Sequence, residues 1–471
     1  MRKPPTLQET EAAMIGVVKA FDRTPLMELP GDDAAALETK LATAARLFAD
    51  RGARLNPFQR IEILRKLAVL MEGKRLHLGR QIAAEGGKPV ADALVETDRA
   101  IDGVRYAIDV LRTMGGREIP MGITPAATDR WASTIIEPIG VVAAISAFNH
   151  PLNLIVHQVV PAIAVGCPVI VKPALPTPLS CRDLLALACE AGLPEGWCQM
   201  FLPETNDLAE KLATDPRVAF LSFIGSAKVG WYLRSKLPPG TRCALEHGGA
   251  APALVDKSAD LDRLIEPMVK GGYYHAGQVC VSTQRIYVHA DIADAFLDRF
   301  SARVVKLKVG DPMLAETEVG PLILPREADR VQSWIDEAAA DGARVIGGGR
   351  LSETTLLPSI VVNPPADAKL STMEVFGPVT CVMPYTDIDQ AIALANSLNV
   401  AFQASIFTED LRTALHVAER LAASAVMIND HTAFRTDWMP FAGRRQSGYG
   451  VGGIPFTMRD MTEEKMIVFR K

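Results

Sequence analysis

VVAAISAFNHP, residues 141–151, opens with five apolar residues in a row, continues through Ser146 and Ala147, and then turns abruptly polar. A run without polar alternation fits a strand covered on both faces, as in a parallel sheet, and not a half-exposed hairpin strand. A helical stretch follows through Val156, Val159, Ile163 and Val165. PVIVKP (168–173) is a second such strand, with a helix from Cys181 to Glu190 behind it, and FLSFIGS (220–226) is a third, followed by AKVGWYLRSKL. This alternation predicts an open, doubly wound α/β sheet with ligands at the carboxyl ends of its strands.

Upstream, apolar residues recur at helical spacing in Leu37, Leu41, Ala44, Leu47 and Phe48, in Ile61, Leu64, Leu67 and Leu70, and in Ile101, Val104, Ile108 and Leu111. The first hundred residues therefore read as helices, broken by EGGKP (85–89); Arg99 and Arg105 flank the third apolar stripe. Downstream, a helix-like DLDRLIEPMVKGGYYHAG leads to Cys280, then come the strand QRIYVHA, the helices IADAFLDRFSARVVKL, VQSWIDEAAADGA and DIDQAIALANSL, and the strand ASIFT. This half reads as a domain of its own. RWASTIIEPIG and the terminal MTEEKMIVFRK have the character of strands that project and seek a partner.

A chain of 471 residues exceeds one hydrophobic core and calls for two or three domains. The net charge of −5 gives no reason to expect nucleic acid, and no apolar run is long enough for a membrane span. MRKPPTLQETEAAM lacks the apolar segment of a secretory leader, and seven cysteines without a CxxC pair (167, 181, 189, 198, 243, 280, 381) suggest neither a disulfide framework nor a zinc site. A cytoplasmic protein without a metal is expected.

Candidate chemistry falls at the ends of the predicted strands. Cys280 in HAGQVC follows Glu246 in LEHGG by 34 residues, a span that allows a helix and a return to the same pocket. A nucleophile and a water-activating base are the sharp reading; a small buried hydrophobe and a surface carboxylate are the bland one. Lys172 ends a buried strand, where it reaches either a ribose or solvent. Gly225-Ser226 opens a helix, as a phosphate cradle or a plain N-cap. The GxGxxG fingerprint is absent.

FNHP (148–151), VKPA (171–174), FIGSAKVG (223–230), LEHGG (245–249), GQVC (277–280), EVFGP (374–378) and PFAGRRQSGYG (440–450) together resemble the aldehyde dehydrogenase superfamily, from about Asp33 to the C-terminus. The resemblance implies a Rossmann-type cofactor domain (1–119 and 139–248), an α/β catalytic domain (249–451) and an oligomerisation hairpin (120–138 and 452–471), hence a homodimer or homotetramer. It implies Cys280 as nucleophile, Glu246 as base and Asn149 as oxyanion donor. It further implies cofactor contacts from Lys172, Gly225, Ser226, Glu374, Phe376 and Phe148. Leu175 stands three residues after the lysine, where a glutamate often excludes a 2′-phosphate, so the expected cofactor is NAD(P), leaning to NAD. Gln158 replaces a lysine thought to relay protons, and His247 replaces a leucine.

For the substrate, His150, Arg435 within NDHTAFRTDWMP (429–440), and Arg99 on the facing helix are expected to converge on an acid head group. The alternative is that Arg435 pairs with Asp430 or Asp437 and His150 merely packs. The resemblance is closest to the phosphonoacetaldehyde dehydrogenase branch. Its neighbours act on sulfolactaldehyde, lactaldehyde, succinate semialdehyde or, without phosphorylation, glyceraldehyde 3-phosphate. A CoA-acylating enzyme and an inactive binding homologue are the rival readings.

Overall fold

The computed structural model describes residues 13–471, so most of the leader reading at the N-terminus lies outside the described residues. Two large sheets dominate. The first runs, in order, Gly448–Tyr449, Arg242–Glu246, Val218–Ile224, Val141–Ile145, Val169–Lys172, Cys198–Met200, parallel except for the first. Val141–Ile145 is central and wholly buried. Its side chains divide by parity: Val142 and Ala144 join the core beneath the helices Pro57–Gly73, Val90–Thr113 and Asn153–Val165, while Val141, Ala143 and Ile145 face Ala34–Ala49 and Asn206–Thr214. Each aliphatic side chain so covered contributes about 1.5–3 kcal/mol, which is why this segment tolerates no polar residue.

The second sheet runs Arg344–Gly347, Ser359–Val362, Val379–Tyr385, Thr283–His289, Ala251–Val255, Gln403–Phe407, Ala425–Ile428, with only the first strand antiparallel. A third sheet pairs Thr462–Arg470 along the whole length of Arg130–Pro138, with Glu118–Ile119 beyond. It leaves Trp131, Ile135, Met466, Val468 and Phe469 exposed.

The expectation of helices alone at the N-terminus is corrected. Met14–Val18 and Pro25–Pro30 form a hairpin before the first helix. Little of it but Val17 and Leu29 is buried, so it carries no strong apolar pattern.

Candidate active site

Four adjacent parallel strands deliver functional side chains from their carboxyl ends. Glu246 ends Arg242–Glu246, Gly225 and Ser226 follow Val218–Ile224, Asn149 follows Val141–Ile145 within four residues, and Lys172 ends Val169–Lys172. The chain order reverses between the second and third of these strands, the place where such sheets bind ligands. A cleft of about 930 Å³ opens there, lined by these residues together with Cys280, Glu374, Phe376, Phe148, Arg99, His150 and Arg435. Every residue anticipated for the site thus borders one cavity.

Cys280 arrives from the other sheet, on the turn between the helix Leu261–Tyr273 and the strand Thr283–His289. His275, Ala276 and Gly277 all take positive φ, at 50°, 54° and 70°. Only glycine fits the last position, because a Cβ there would lie 2.0 Å from the carbonyl oxygen of Gly377. The turn places Cys280 Sγ 4.0 Å from Glu246 Oε1. Burial and the Glu246 charge push the thiol well above its ordinary range, and Arg435 opposes them. Burial likewise raises the Glu246 carboxyl, against the pull of Arg435. Asn149 is buried and gives one amide hydrogen to the Gln278 carbonyl at 2.9 Å, which leaves its second N–H free.

The cofactor side of the cleft fits a dinucleotide. Glu374 Oε1 is buried without a partner among the described residues, and burial pushes this carboxyl up to about 8. Gly248 exists for it: a Cβ there would stand 1.6 Å from that oxygen. Lys172 is held by burial at about 8, its ammonium touching only the Pro173 carbonyl at 3.3 Å. Ser226 starts the ten-residue helix Ala227–Lys236 without using its side chain as a cap, so its hydroxyl and the first N–H groups are available to a phosphate. Phe148 and Phe376 meet edge to face, 5.8 Å between centroids. His247 lies under this turn: its Nδ1 contacts the Gly225 carbonyl at 2.8 Å, and its Cε1 occupies the space a Cβ on Gly230 would need, 2.0 Å away. Gln158 binds the carbonyls of Ile145 and Ser222 at 3.1 and 3.0 Å, stapling two strands.

The three groups expected at the head-group end behave differently from one another. Arg99 lines the cleft, but its guanidinium is bound by both oxygens of Asp437, at 3.1 and 2.8 Å. Asp437 also accepts from Asn153 at 3.0 Å and contacts His157 Nε2 at 2.7 Å, and these partners hold its carboxyl well below the usual range. His150 is buried beside Lys88, Arg99, His275 and Arg435, and desolvation keeps it neutral. Arg435 pairs with neither Asp430 nor Asp437. Its Nη1 lies 3.9 Å from Glu246 Oε1, its guanidinium covers the Phe441 ring at 3.6 Å, and its Nε is buried without a partner among the described residues. Asn153, His157 and Gln278 were not anticipated, and Asp437 was expected only as a possible partner of Arg435, whereas it binds Arg99.

Among the described residues, no group of three or more His, Cys, Asp or Glu could hold a metal, and no helix is long and apolar enough to cross a membrane.

The profile of the aldehyde dehydrogenase family matches residues 7–467. The 3-sulfolactaldehyde dehydrogenase of Priestia megaterium is 34% identical over 461 residues, which cover 98% of this chain and 96% of that protein. Aldehyde dehydrogenase 21 from Physcomitrella patens, solved with its reaction product succinate, superposes with a TM-score of 0.94 at 31% identity over 98% of this chain and 96% of that one. The NADP complex of a glyceraldehyde-3-phosphate dehydrogenase from Methanocaldococcus jannaschii superposes with a TM-score of 0.93 at 31% identity, covering 98% and 100%. With this match over residues 7–467 and relatives above 30% identity along 98% of its length, the chain belongs to the aldehyde dehydrogenase family.

Proposed function

We propose that this protein oxidises a short aldehyde with an anionic head group to its carboxylate, with Cys280 as nucleophile, Asn149 as oxyanion donor and Glu246 as base. As a member of the family it is an NAD(P)-dependent aldehyde oxidoreductase. Glu246, 4.0 Å from the sulfur, is kept for the later water step, and the Cys280 thiol gives its proton to solvent. The Cys280 sulfur then bonds to the aldehyde carbon, and the carbonyl oxygen becomes an alkoxide that the free Asn149 N–H and the Cys280 backbone N–H stabilise. Lys172, Ser226, Glu374 and the Phe148–Phe376 pair would hold the dinucleotide. Bound there, its nicotinamide supplies the acceptor for the hydride that leaves the former aldehyde carbon. The thioester left on Cys280 is hydrolysed by a water whose proton goes to Glu246, and the thiolate departs.

The observation that carries the head-group reading is Arg435. It is a nearly enclosed cation in the cleft that makes no hydrogen bond among the described residues, whereas Arg99 is neutralised by Asp437. An oxyanion on the substrate satisfies it. Sulfonate, carboxylate and phosphonate are the candidate head groups; the first suits the sulfolactaldehyde dehydrogenase relative, the second the succinate-bound structure, and phosphonoacetaldehyde has the third. The exposed apolar sheet at Trp131 and Phe469 supports a homo-oligomer.

A kcat/KM panel of sulfo-, phosphono-, carboxylate and neutral short aldehydes, with both cofactors and with Arg435→Gln beside wild type, tests the proposal. Anionic aldehydes should lead, and Arg435→Gln should cost them on the order of 100-fold while leaving neutral ones nearly unchanged. Preference for neutral aldehydes would sink the head-group assignment.

A further inference from the structure

Glu246 Oε1 stands between two groups at almost equal distance, Cys280 Sγ at 4.0 Å and Arg435 Nη1 at 3.9 Å. The Arg435 and Glu246 side chains are only 10% and 15% exposed. At 3.9 Å they attract as charges but share no hydrogen bond, so the pair is tight enough to matter and loose enough to exchange. Among the described residues neither makes another ion pair. Asp437 is occupied by Arg99, Asn153 and His157, and the other carboxylate near Cys280 is Glu374, on the cofactor side.

We propose that Arg435 gates the base: with the head-group site empty it holds Glu246 in an ion pair, and a substrate oxyanion takes over the guanidinium and frees Glu246 to accept the proton of the hydrolytic water. The proposal rests on the head-group reading above and adds a second duty to the same arginine. In the freed state water gives its proton to the Glu246 carboxylate as its oxygen bonds to the thioester carbon. The carbon–sulfur bond breaks, and its electron pair returns to Cys280. With a neutral aldehyde Cys280 is still acylated, but the base stays paired and the thioester turns over slowly. The groups facing Glu246 are Cys280 on its turn and Arg435, with Arg99 and Asp437 behind it; His157 on the helix Asn153–Val165 lines a small pocket together with Glu246. His157 is kept neutral by burial, so Arg435 is the one charge whose partner the substrate changes.

The test divides the substrate into two pieces. Acetaldehyde is oxidised with the cofactor in the presence or absence of methylphosphonate or methanesulfonate, and pre-steady-state kinetics separate thioester formation from its breakdown. The anion should speed breakdown on the order of tenfold and move the acid limb of its pH profile to higher pH. Arg435→Gln should be insensitive to the anion, with its acid limb already at the higher pH; Arg435→Lys should retain part of the response and serves as the control for folding. If the anion leaves breakdown unchanged in wild type, or accelerates Arg435→Gln equally, gating is wrong. In that case a raised KM of Arg435→Gln for anionic aldehydes would still uphold the head-group site. If that KM is also unchanged, both readings fall.

Discussion

Asn149 donates its Nδ2 hydrogen to the carbonyl oxygen of Gln278 at 2.9 Å, joining segments 129 residues apart. Gln278 is itself fixed on every side: its Nε2 gives to the carbonyls of His275 and Pro321 at 3.2 and 3.1 Å, and its Oε1 accepts from the Ile323 N–H at 3.0 Å. Asn149 and the turn that carries Cys280, the proposed oxyanion donor and nucleophile, are therefore one unit, although they hang from different sheets. Fixed donors need no reorganisation when charge develops on the substrate oxygen.

Asn149→Ala should accordingly lower kcat by roughly 10²–10³ while the protein stays folded. Circular dichroism and cofactor affinity should be unaltered, and steady-state kinetics read the loss. An unchanged kcat would mean that the alkoxide is stabilised elsewhere.

Glu246→Gln should release close to one equivalent of reduced cofactor in a burst and then stall, because the thioester forms but no base activates water. Intact mass spectrometry should find the acyl group on Cys280, and Cys280→Ala should abolish the burst. Full turnover by Glu246→Gln would place the base elsewhere.

The Glu374 carboxyl, at about 8, is largely protonated at neutral pH in the free enzyme. A ribose diol donating to it favours the ionised form, so cofactor binding near pH 7 should release a proton, approaching one per site, and affinity should weaken as the pH falls below about 8. Calorimetry in buffers of different ionisation enthalpy measures the release, and Glu374→Gln should abolish it. The sign for stability runs the opposite way. This raised carboxyl supports the empty fold fully below the ordinary carboxylate range, and that contribution is lost as pH rises through about 8.

Leu175, three residues beyond Lys172, is 38% exposed on the wall of the cleft. Leu175→Glu places a carboxylate there, and repulsion should cut kcat/KM with NADP by about 10–100-fold while changing NAD much less. Equal losses with both cofactors would move the adenosine ribose away from this wall.

How much of this was legible in the sequence follows from whether a residue's partners are local. Val141–Ile145 could be read because a strand buried on both faces admits no polar residue. The meeting of Cys280, Glu246, Lys172 and Ser226 at one cleft could be read because each closes a strand or turn with its own local grammar. Ala251–Val255 and Val379–Tyr385 escaped notice; each contains a proline, Pro252 or Pro384, which argues against a central strand. Asp437 could be read only as a possible partner of its neighbour Arg435. Its actual partners Arg99, Asn153 and His157 lie 338, 284 and 280 residues away, beyond the reach of local pattern. That aspartate neutralises Arg99 and leaves Arg435 facing Glu246.

Lys88 and Glu96 form an ion pair with both side chains wholly buried. Glu96 Oε1 also accepts the backbone N–H groups of Leu152 and Asn153, each at 3.1 Å. The helix Asn153–Val165 has no side-chain cap of its own at Leu152, so Glu96 does that work, directly after Asn149 and His150. Removing either charge strands the other in the core: Glu96→Gln and Lys88→Met should each destabilise by about 3–5 kcal/mol. The double variant Lys88→Met/Glu96→Gln is neutral and keeps an amide oxygen for the two N–H groups, so it should lose much less than the sum and retain most of kcat. Lys88→Met/Glu96→Leu, equally neutral but without an acceptor, should fold less stably and lose kcat in addition, because the oxyanion loop is released. Denaturant midpoints and kcat on the four variants separate the buried charge from the cap. A cost for Glu96→Gln no larger than for Glu72→Gln, which breaks the exposed pair with Arg105, would show that the buried pair does not hold this loop.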